Sequence, residues 1–210
     1  ATVSYPKAEL AKAPLDERLR RAAMAGVPVP LVELRLRDDD GHTQAWDGKS
    51  LGEIQVRGPF ITGSYHEVPI AEDKFTSDGW LRTGDAGYLD EDGYLYIHDR
   101  VKDMIISGGE NVYPSEVEAA IGAHPKVKDV AVVGLPDEKW GERVHAVVVP
   151  HQGASLTVAD LLDWAKESLA GYKRPRSFSF IRDEEMPRNA TGKILHRQIK
   201  AKYADDAKAK

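Results

Sequence analysis

Hydrophobic and polar positions keep two different rhythms along the chain. In the first hundred residues they alternate. In "LVELRLR", Val32, Leu34 and Leu36 fall on one face and Glu33, Arg35 and Arg37 on the other, the period of a half-buried strand. "DDDG" reads as a turn, and "GEIQVRG" alternates again with Ile54 and Val56 inward. "GYLDEDGYLYI" predicts a hairpin whose loop runs from Asp90 to Gly93. Residues 1 to 26 are rich in Ala, Lys, Glu and Arg with little periodicity, and predict a loose, partly helical lead-in.

After His98 the rhythm changes. Pro114 and Ser115 open a helix, with Ser115 and Glu118 spaced as a capping box, Val117, Ala120 and Ile121 as its apolar face and Gly122 as its stop. "VKDVAVVGLP" and "RVHAVVVP" are apolar runs of buried-strand length. "LTVADLLDWAKESLAGY" predicts a helix: Thr157 caps, Asp160 sits three residues on, Leu156 and Leu161 staple the entry, and Gly171 stops it. "SFSFI" is a short strand, and "ILHRQIKAKY" a final helix fraying into a charged tail. The expected fold class is α+β. A mainly antiparallel β region covers residues 1–98, a charged hinge segment 99–103, and a small α+β domain 104–210. No internal repeat is present.

Composition narrows the function classes. The chain has 210 residues, 41% hydrophobic and 30% charged, the balance of a water-soluble globular protein. A formal net charge of -5 argues against nucleic-acid binding through phosphate attraction, and the basic runs at Lys173-Arg174 and Lys208 to Lys210 are too short to reverse that. With no cysteine, disulfide and thiolate chemistry are excluded; a reducing, cytoplasmic location fits. The longest apolar runs, Val130 to Pro136 and Val144 to Pro150, are far too short to span a bilayer, and no signal peptide precedes Ala1. The first residue is not Met, as expected of a processed or excised piece of a longer chain.

Four constellations carry candidate chemistry. Thr83-Gly84-Asp85 places a carboxylate on a glycine-assisted bend before a strand, where it can accept paired ribose hydroxyls; taken alone, an Asx-turn explains it better. Arg100 to Asp103 offers a guanidinium fork for phosphate or ribose oxygens, although the charge run by itself favours a surface salt bridge. Gly108-Gly109 in "ISGGENVYPSEVE" allows close backbone approach ahead of a helix, or simply a tight connection between strand and helix. Lys193 in "PRNATGKILHRQIK" stands in a loop of small and polar residues before a helix. "TGK" is not a phosphate-binding loop: Pro187 stands where the first glycine of that motif belongs, and Ile194 where Ser or Thr must follow the lysine.

In order and spacing these stretches resemble the C-terminal part of the adenylate-forming enzymes: acyl-CoA synthetases, aryl-CoA ligases, luciferases and nonribosomal adenylation domains. The resemblance runs from about residue 27 to 203. It rests on "GEIQVRGPFITGSY", "GWLRTGDAGYLDEDGYLYIHDRVKDMIISGGENVYPSEVE", "HPKVKDVAVVGLPDEKWGERVHAVVV", "YKRP" and "PRNATGKILHR". "GVPVPLVELRLRDDDG" and "DEKWGERVHAVVV" are most similar to the fatty acyl-CoA synthetase branch.

The resemblance implies a two-step reaction. A carboxylate attacks the α-phosphate of ATP to give an acyl-adenylate and pyrophosphate, and a thiol, usually of CoA, then displaces AMP. It assigns Asp85 to the ribose hydroxyls, Arg100 to ribose or phosphate, and Lys102 to the hinge about which the small domain rotates. Lys193 would reach the reacting carboxylate and α-phosphate, delivered by a mobile loop. Ser107, Gly108, Gly109 and Glu110 would line the pantetheine channel, with Tyr172, Lys173, Arg174 and Arg176 near the CoA nucleotide. The family's Ser/Thr/Gly-rich phosphate loop, the Tyr-Gly-x-Thr-Glu segment whose glutamate helps hold Mg2+, and most of the acyl pocket have no counterpart here. The expectation is a piece that needs the N-terminal domain to form an adenylate. An aryl-acid or amino-acid activating ligase, and a stand-alone module that binds nucleotide, CoA or a partner protein, remain open alternatives.

Overall fold

The computed structural model describes residues 1–4, 12–63, 71 and 73–208, so residues 5–11 of the lead-in and the last two residues of the tail lie outside it. The chain divides into two compact units, Ala1–Lys102 and Asp103–Lys210. Both mix antiparallel strands with helices, as the two rhythms predict.

In the first unit, β1 (Thr2–Val3) pairs with β2 (Val27–Pro28), and α1 (Leu15–Ala22) lies between them in sequence. The main sheet is antiparallel in the order β3 (Glu33–Arg37), β4 (Gly52–Arg57), β5 (Leu81–Leu89), β6 (Leu95–Arg100). Val32, Leu34 and Leu36 are buried with Ile54, Val56, Leu89 and Leu95. The β5–β6 hairpin closes at Asp90 and Gly93 as expected, with Leu89 opposite Leu95.

Alternation fails at one place. Gln55 should face water but is buried, because the arginines of the polar face build a second cover. Arg35 and Arg57 stack over Trp80 at 4.3 and 4.6 Å from its ring centre. Arg35 also donates to Gln55 Oε1 at 2.9 Å and to Asp78 at 2.8 Å, holding the Asp78 carboxyl far below its usual range.

The second unit is a sheet covered by helices on both faces. β7 (Ile105–Ser107) and β8 (Glu110–Val112) form a short hairpin, followed by α2 (Pro114–Gly122). β9 (Val127–Asp137) and β10 (Gly141–Pro150) pair antiparallel along their whole length. After α3 (Val158–Ser168), β11 (Ser177–Phe180) runs parallel to β10, and α4 (His196–Lys208) closes the unit. Val130, Val132, Val144, Ala146 and Val148 pack with Val117 and Ile121 of α2 and Leu161 and Ala165 of α3. Their neighbours Ala131, Val133, Leu135, Val147 and Val149 pack with Met186 and Ile199. Two covered faces explain why these strands read as continuous apolar runs.

Helix boundaries depart from expectation twice. Tyr113 is the N-cap of α2 and Pro114 its first residue, so Ser115 stands inside the first turn and Glu118 is not part of a capping box. Proline's fixed φ suits this first helical position and leaves the cap at Tyr113, two residues before Ser115. At its other end α2 stops at Gly122 as expected, with Ala123 as the C-cap. Gly171 does not stop α3: the helix ends at Ser168, and Arg174 Nε donates to Leu169 C=O at 2.8 Å in place of a glycine cap. The capping box at Thr157 and Asp160 is present.

Two positions test this account. Leu31 follows Pro30 in a turn closed by Val32 N–H to Val29 C=O, at φ +69° and 71% exposed. A leucine there carries steric strain without compensating burial. Leu31→Gly is expected to stabilise the first unit by about 0.5–1 kcal/mol in urea unfolding. His145 is 4% exposed on β10, its Nδ1 2.8 Å from Ser177 Oγ. Burial, aided by Arg143, pushes its pKa down to about 4 from an unperturbed 6.5. Because the unfolded chain binds the proton more readily, the second unit is fully stable above pH 6.5 and loses on the order of 3 kcal/mol as pH falls toward 4. Urea unfolding at pH 7 and 4.5 should show this loss shrink in His145→Gln.

Candidate functional site

The first unit brings Asp85 and Arg100 together. Thr83, Gly84 and Asp85 do not form a bend before a strand; they lie within β5, where its register shifts on both β4 and β6. Gly84 takes φ +76°, while Thr83 Oγ1 donates to Ile54 C=O at 2.7 Å and accepts from Asp85 N–H at 3.1 Å. This bulge sets Asp85 opposite Arg100, with Oδ1 2.9 Å from the guanidinium Nε. Asp85 therefore turns its carboxylate to Arg100 across the hairpin, and Arg100 has the carboxylate partner that the charge run favours. One edge of each group is used. Among the described residues, Asp85 Oδ2 and the Nη atoms of Arg100 form no hydrogen bond, and both side chains are partly exposed. Lys102 ends the first unit, exposed in a short 3-10 turn, Val101–Asp103.

In the second unit, Gly108 and Gly109 are the two turn residues between β7 and β8, at φ +65° and +85°. They join strand to strand rather than strand to helix. Two successive left-handed residues suit a two-residue hairpin. Gly108 has a further constraint: a Cβ there would stand 2.8 Å from the Trp140 ring, whereas Gly109 faces open space. The Trp140 ring also carries the Arg176 guanidinium at 3.8 Å from its centre. Trp140 thus links the glycine hairpin to the basic segment, a connection that sequence reasoning missed. Its only signal was a tryptophan beside Gly141. Ser107 is buried, and Glu110 is exposed at the far side of the turn.

The basic segment divides its work. Lys173 Nζ contacts both oxygens of Glu116 at 2.7 Å, and Arg174 caps α3. Tyr172 is exposed in the 3-10 turn Gly171–Lys173. An open cleft of about 510 Å³ lies against the α3 face at Leu162 and Lys166 and is bordered by Arg174, Pro175 and Arg176.

Lys193 sits on a built turn, not on a loose loop. Arg188 bridges Ile194, and Asn189 Oδ1 accepts from Thr191 N–H at 3.0 Å, Lys193 N–H at 2.9 Å and Thr191 Oγ1 at 2.8 Å. Gly192 N–H bonds Asn189 C=O at 2.9 Å. Arg188 pairs with Asp129 and Asp183 and donates to Gly192 C=O at 3.2 Å. At the other end, His196 Nε2 meets Glu118 Oε1 at 2.7 Å. Lys193 is exposed, and its ammonium has no carboxylate partner among the described residues. The turn chemistry of Asn189 and Gly192 was readable in sequence; the anchoring by Arg188, Glu118 and His196 was not. Among the described residues, no group of three or more His, Cys, Asp or Glu side chains is placed to hold a metal ion, and no helix is long and apolar enough to cross a membrane.

The chain is similar to known proteins over most of its length. Residues 116–193 match the AMP-binding enzyme C-terminal domain. The chain is 42% identical over 202 residues to a long-chain-fatty-acid–CoA ligase of Thermus thermophilus, covering 95% of this chain and 37% of that protein. It is 44% identical over 196 residues to an indoleacetate–CoA ligase of Aromatoleum aromaticum, covering 92% and 37%. Among solved structures, ATP-bound MatB from Rhodopseudomonas palustris superposes with a TM-score of 0.79 at 37% identity, over 87% of this chain and 36% of that one. The chain therefore spans a little over a third of the length of these relatives. It belongs to the adenylate-forming, AMP-binding family of acid–thiol ligases, and corresponds to the C-terminal portion of its members.

Proposed function

We propose that the chain is part of an ATP-dependent acyl-CoA synthetase that activates a carboxylic acid as its adenylate and transfers the acyl group to CoA. The observation that carries this reading is Lys193, whose ammonium has no carboxylate partner among the described residues, on a turn held by its own hydrogen bonds. Adenylation forces two anions together, the substrate carboxylate and the α-phosphate. A cation held ready beside them offsets that repulsion as the new O–P bond forms and pyrophosphate leaves. Rigid presentation spares the reorganisation that a loose lysine would undergo during the reaction.

Asp85 and Arg100 support the nucleotide end of this reading. Their mutual ion pair orients a free carboxylate oxygen toward hydroxyls and free guanidinium donors toward phosphate or ribose oxygens. The glycine hairpin supports the thiol end. Its open side at Gly109 gives room for a slender pantetheine arm, with Arg176 and the neighbouring basic residues toward the CoA phosphates. Lys102 is the proposed hinge, residues 104–210 the proposed mobile domain, and the ligands for Mg2+ and most of the acid pocket belong to the upstream N-terminal domain. A fatty acid is the preferred substrate class, given the likeness to the Thermus ligase; the comparable likeness to an indoleacetate ligase favours an aryl acid as the second reading. A panel of fatty and aryl acids assayed by pyrophosphate release separates the two.

Two predictions follow from these assignments, both for a form carrying the upstream domain. Lys193→Ala should lower ATP–pyrophosphate exchange by about 10²–10³-fold, equivalent to roughly 3–4 kcal/mol, while thioester formation from supplied acyl-adenylate stays within about threefold. Equal loss of both half-reactions would remove Lys193 from its assigned step. Gly108→Ala forces both a left-handed alanine and a shift of Trp140, so it should slow the thioester step and change tryptophan fluorescence. Gly109→Ala meets only the backbone strain, about 1–2 kcal/mol, and should leave the fluorescence unchanged.

A further inference from the structure

Glu118 points from α2 to two donors at once. Its Oε1 accepts from Val132 N–H at 2.7 Å and from His196 Nε2–H at 2.7 Å. β9 pairs with β10 along one side, and Val132 N–H lies on the other, where an edge strand exposes unpaired backbone groups. Glu118 is thus itself fixed by the strand it closes. His196 is the first residue of α4 and stands three residues after Lys193.

The opposite end of the Lys193 turn is tied to the same strand. Arg188 pairs with Asp129 of β9, which also turns its side chain back onto Val130 N–H. One anchor therefore acts at Asp129 and the other, through Glu118, at Val132. A single anchor would let the turn pivot about its attachment; two anchors three residues apart on one strand suppress that rotation. The Glu118 and His196 side chains are both about one-quarter exposed, so water screens this contact less than it screens a fully exposed pair.

We propose that Glu118 and His196 are a positioning pair that fixes the Lys193 turn on β9 and so sets where the lysine ammonium is presented. Neither residue touches the reacting atoms. The catalytic consequence rests on the reading of Lys193 above; the mechanical role does not. A displacement of about 1 Å at a reacting group is enough to cost about 10²-fold in rate.

The mechanical role is measured on the chain itself by amide hydrogen exchange. His196→Ala should accelerate exchange at Thr191 and Lys193 by about tenfold or more, the scale of losing one hydrogen bond to a charged group, with the amides of β10 unchanged. His196→Arg, whose guanidinium donates to Glu118, should restore the original rates. Should the alanine variant prove globally unstable, Glu118→Gln, which keeps an acceptor for Val132 N–H, should accelerate the same two amides to a lesser degree. Unchanged exchange at Thr191 and Lys193 in the folded variants overturns the proposal. In a form carrying the upstream domain, His196→Ala should lower kcat for pyrophosphate exchange about 10–100-fold with KM for ATP nearly unchanged, spare thioester formation, and recover in His196→Arg. Equal loss in both half-reactions marks a general structural role and also overturns it. If Lys193→Ala leaves adenylation intact, the reading of Lys193 falls while the exchange result still decides the clamp.

Discussion

The second unit depends on the burial of β10 on both faces. Val144, Ala146 and Val148 pack toward α2 and α3, Val147 and Val149 toward Met186 and Ile199, and all five are almost inaccessible to solvent. A strand covered twice is held in register by every layer, because sliding it by one residue would exchange the two sets of side chains. β10 then acts as a ruler. β9 pairs along one side; β7 and β11 take the two ends of the other. The glycine hairpin, the basic segment and the Lys193 turn are each attached to that frame at a defined place. His145 is the exception on β10, a polar ring kept neutral inside the sheet and partnered by Ser177.

Charges in both units are used in two ways. Most are consumed locally: Arg35 and Arg57 cover Trp80, Arg174 caps α3, Lys173 is held by Glu116, and Arg188 by Asp129. These contacts build the surfaces on which the remaining groups stand. Lys193 differs because its backbone N–H and C=O are both engaged, while its ammonium has no carboxylate partner among the described residues. Asp85 and Arg100 are intermediate, each using one edge on the other and keeping one edge open. A polar group with a fixed backbone and an open functional edge is suited to a ligand, since its position has already been set during folding.

The strands and their facing were legible from sequence because burial imposes its period directly. Val32, Leu34 and Leu36 alternate since one face of their sheet is covered, and β9 and β10 run continuously apolar since both faces are. The departures lie at helix ends and turns. The cap of α2 is Tyr113 and not Ser115, an arginine replaced glycine as the cap of α3, and the double glycine joined two strands. Each was decided by a contact or a fixed backbone angle that hydrophobic periodicity does not encode. Gln55 is buried for a related reason: Arg35 and Trp80, distant in sequence, join Arg57 of the same strand to cover a face whose pattern is polar.

By itself the sequence determined the long strands of both sheets and pointed to the candidate residues, since these follow from local period, turn chemistry and the order of motifs. It also showed that "TGK" lacks the glycine and hydroxyl residue of a phosphate loop. Only the tertiary structure decided which groups meet. It placed Asp85 on Arg100 across a bulge, Gly108 beneath Trp140 with Arg176 against the same ring, and His196 on Glu118 at a separation of 78 residues. Such pairings depend on sheet register and on which helix covers which face, and neither quantity is local to the residues that it brings together.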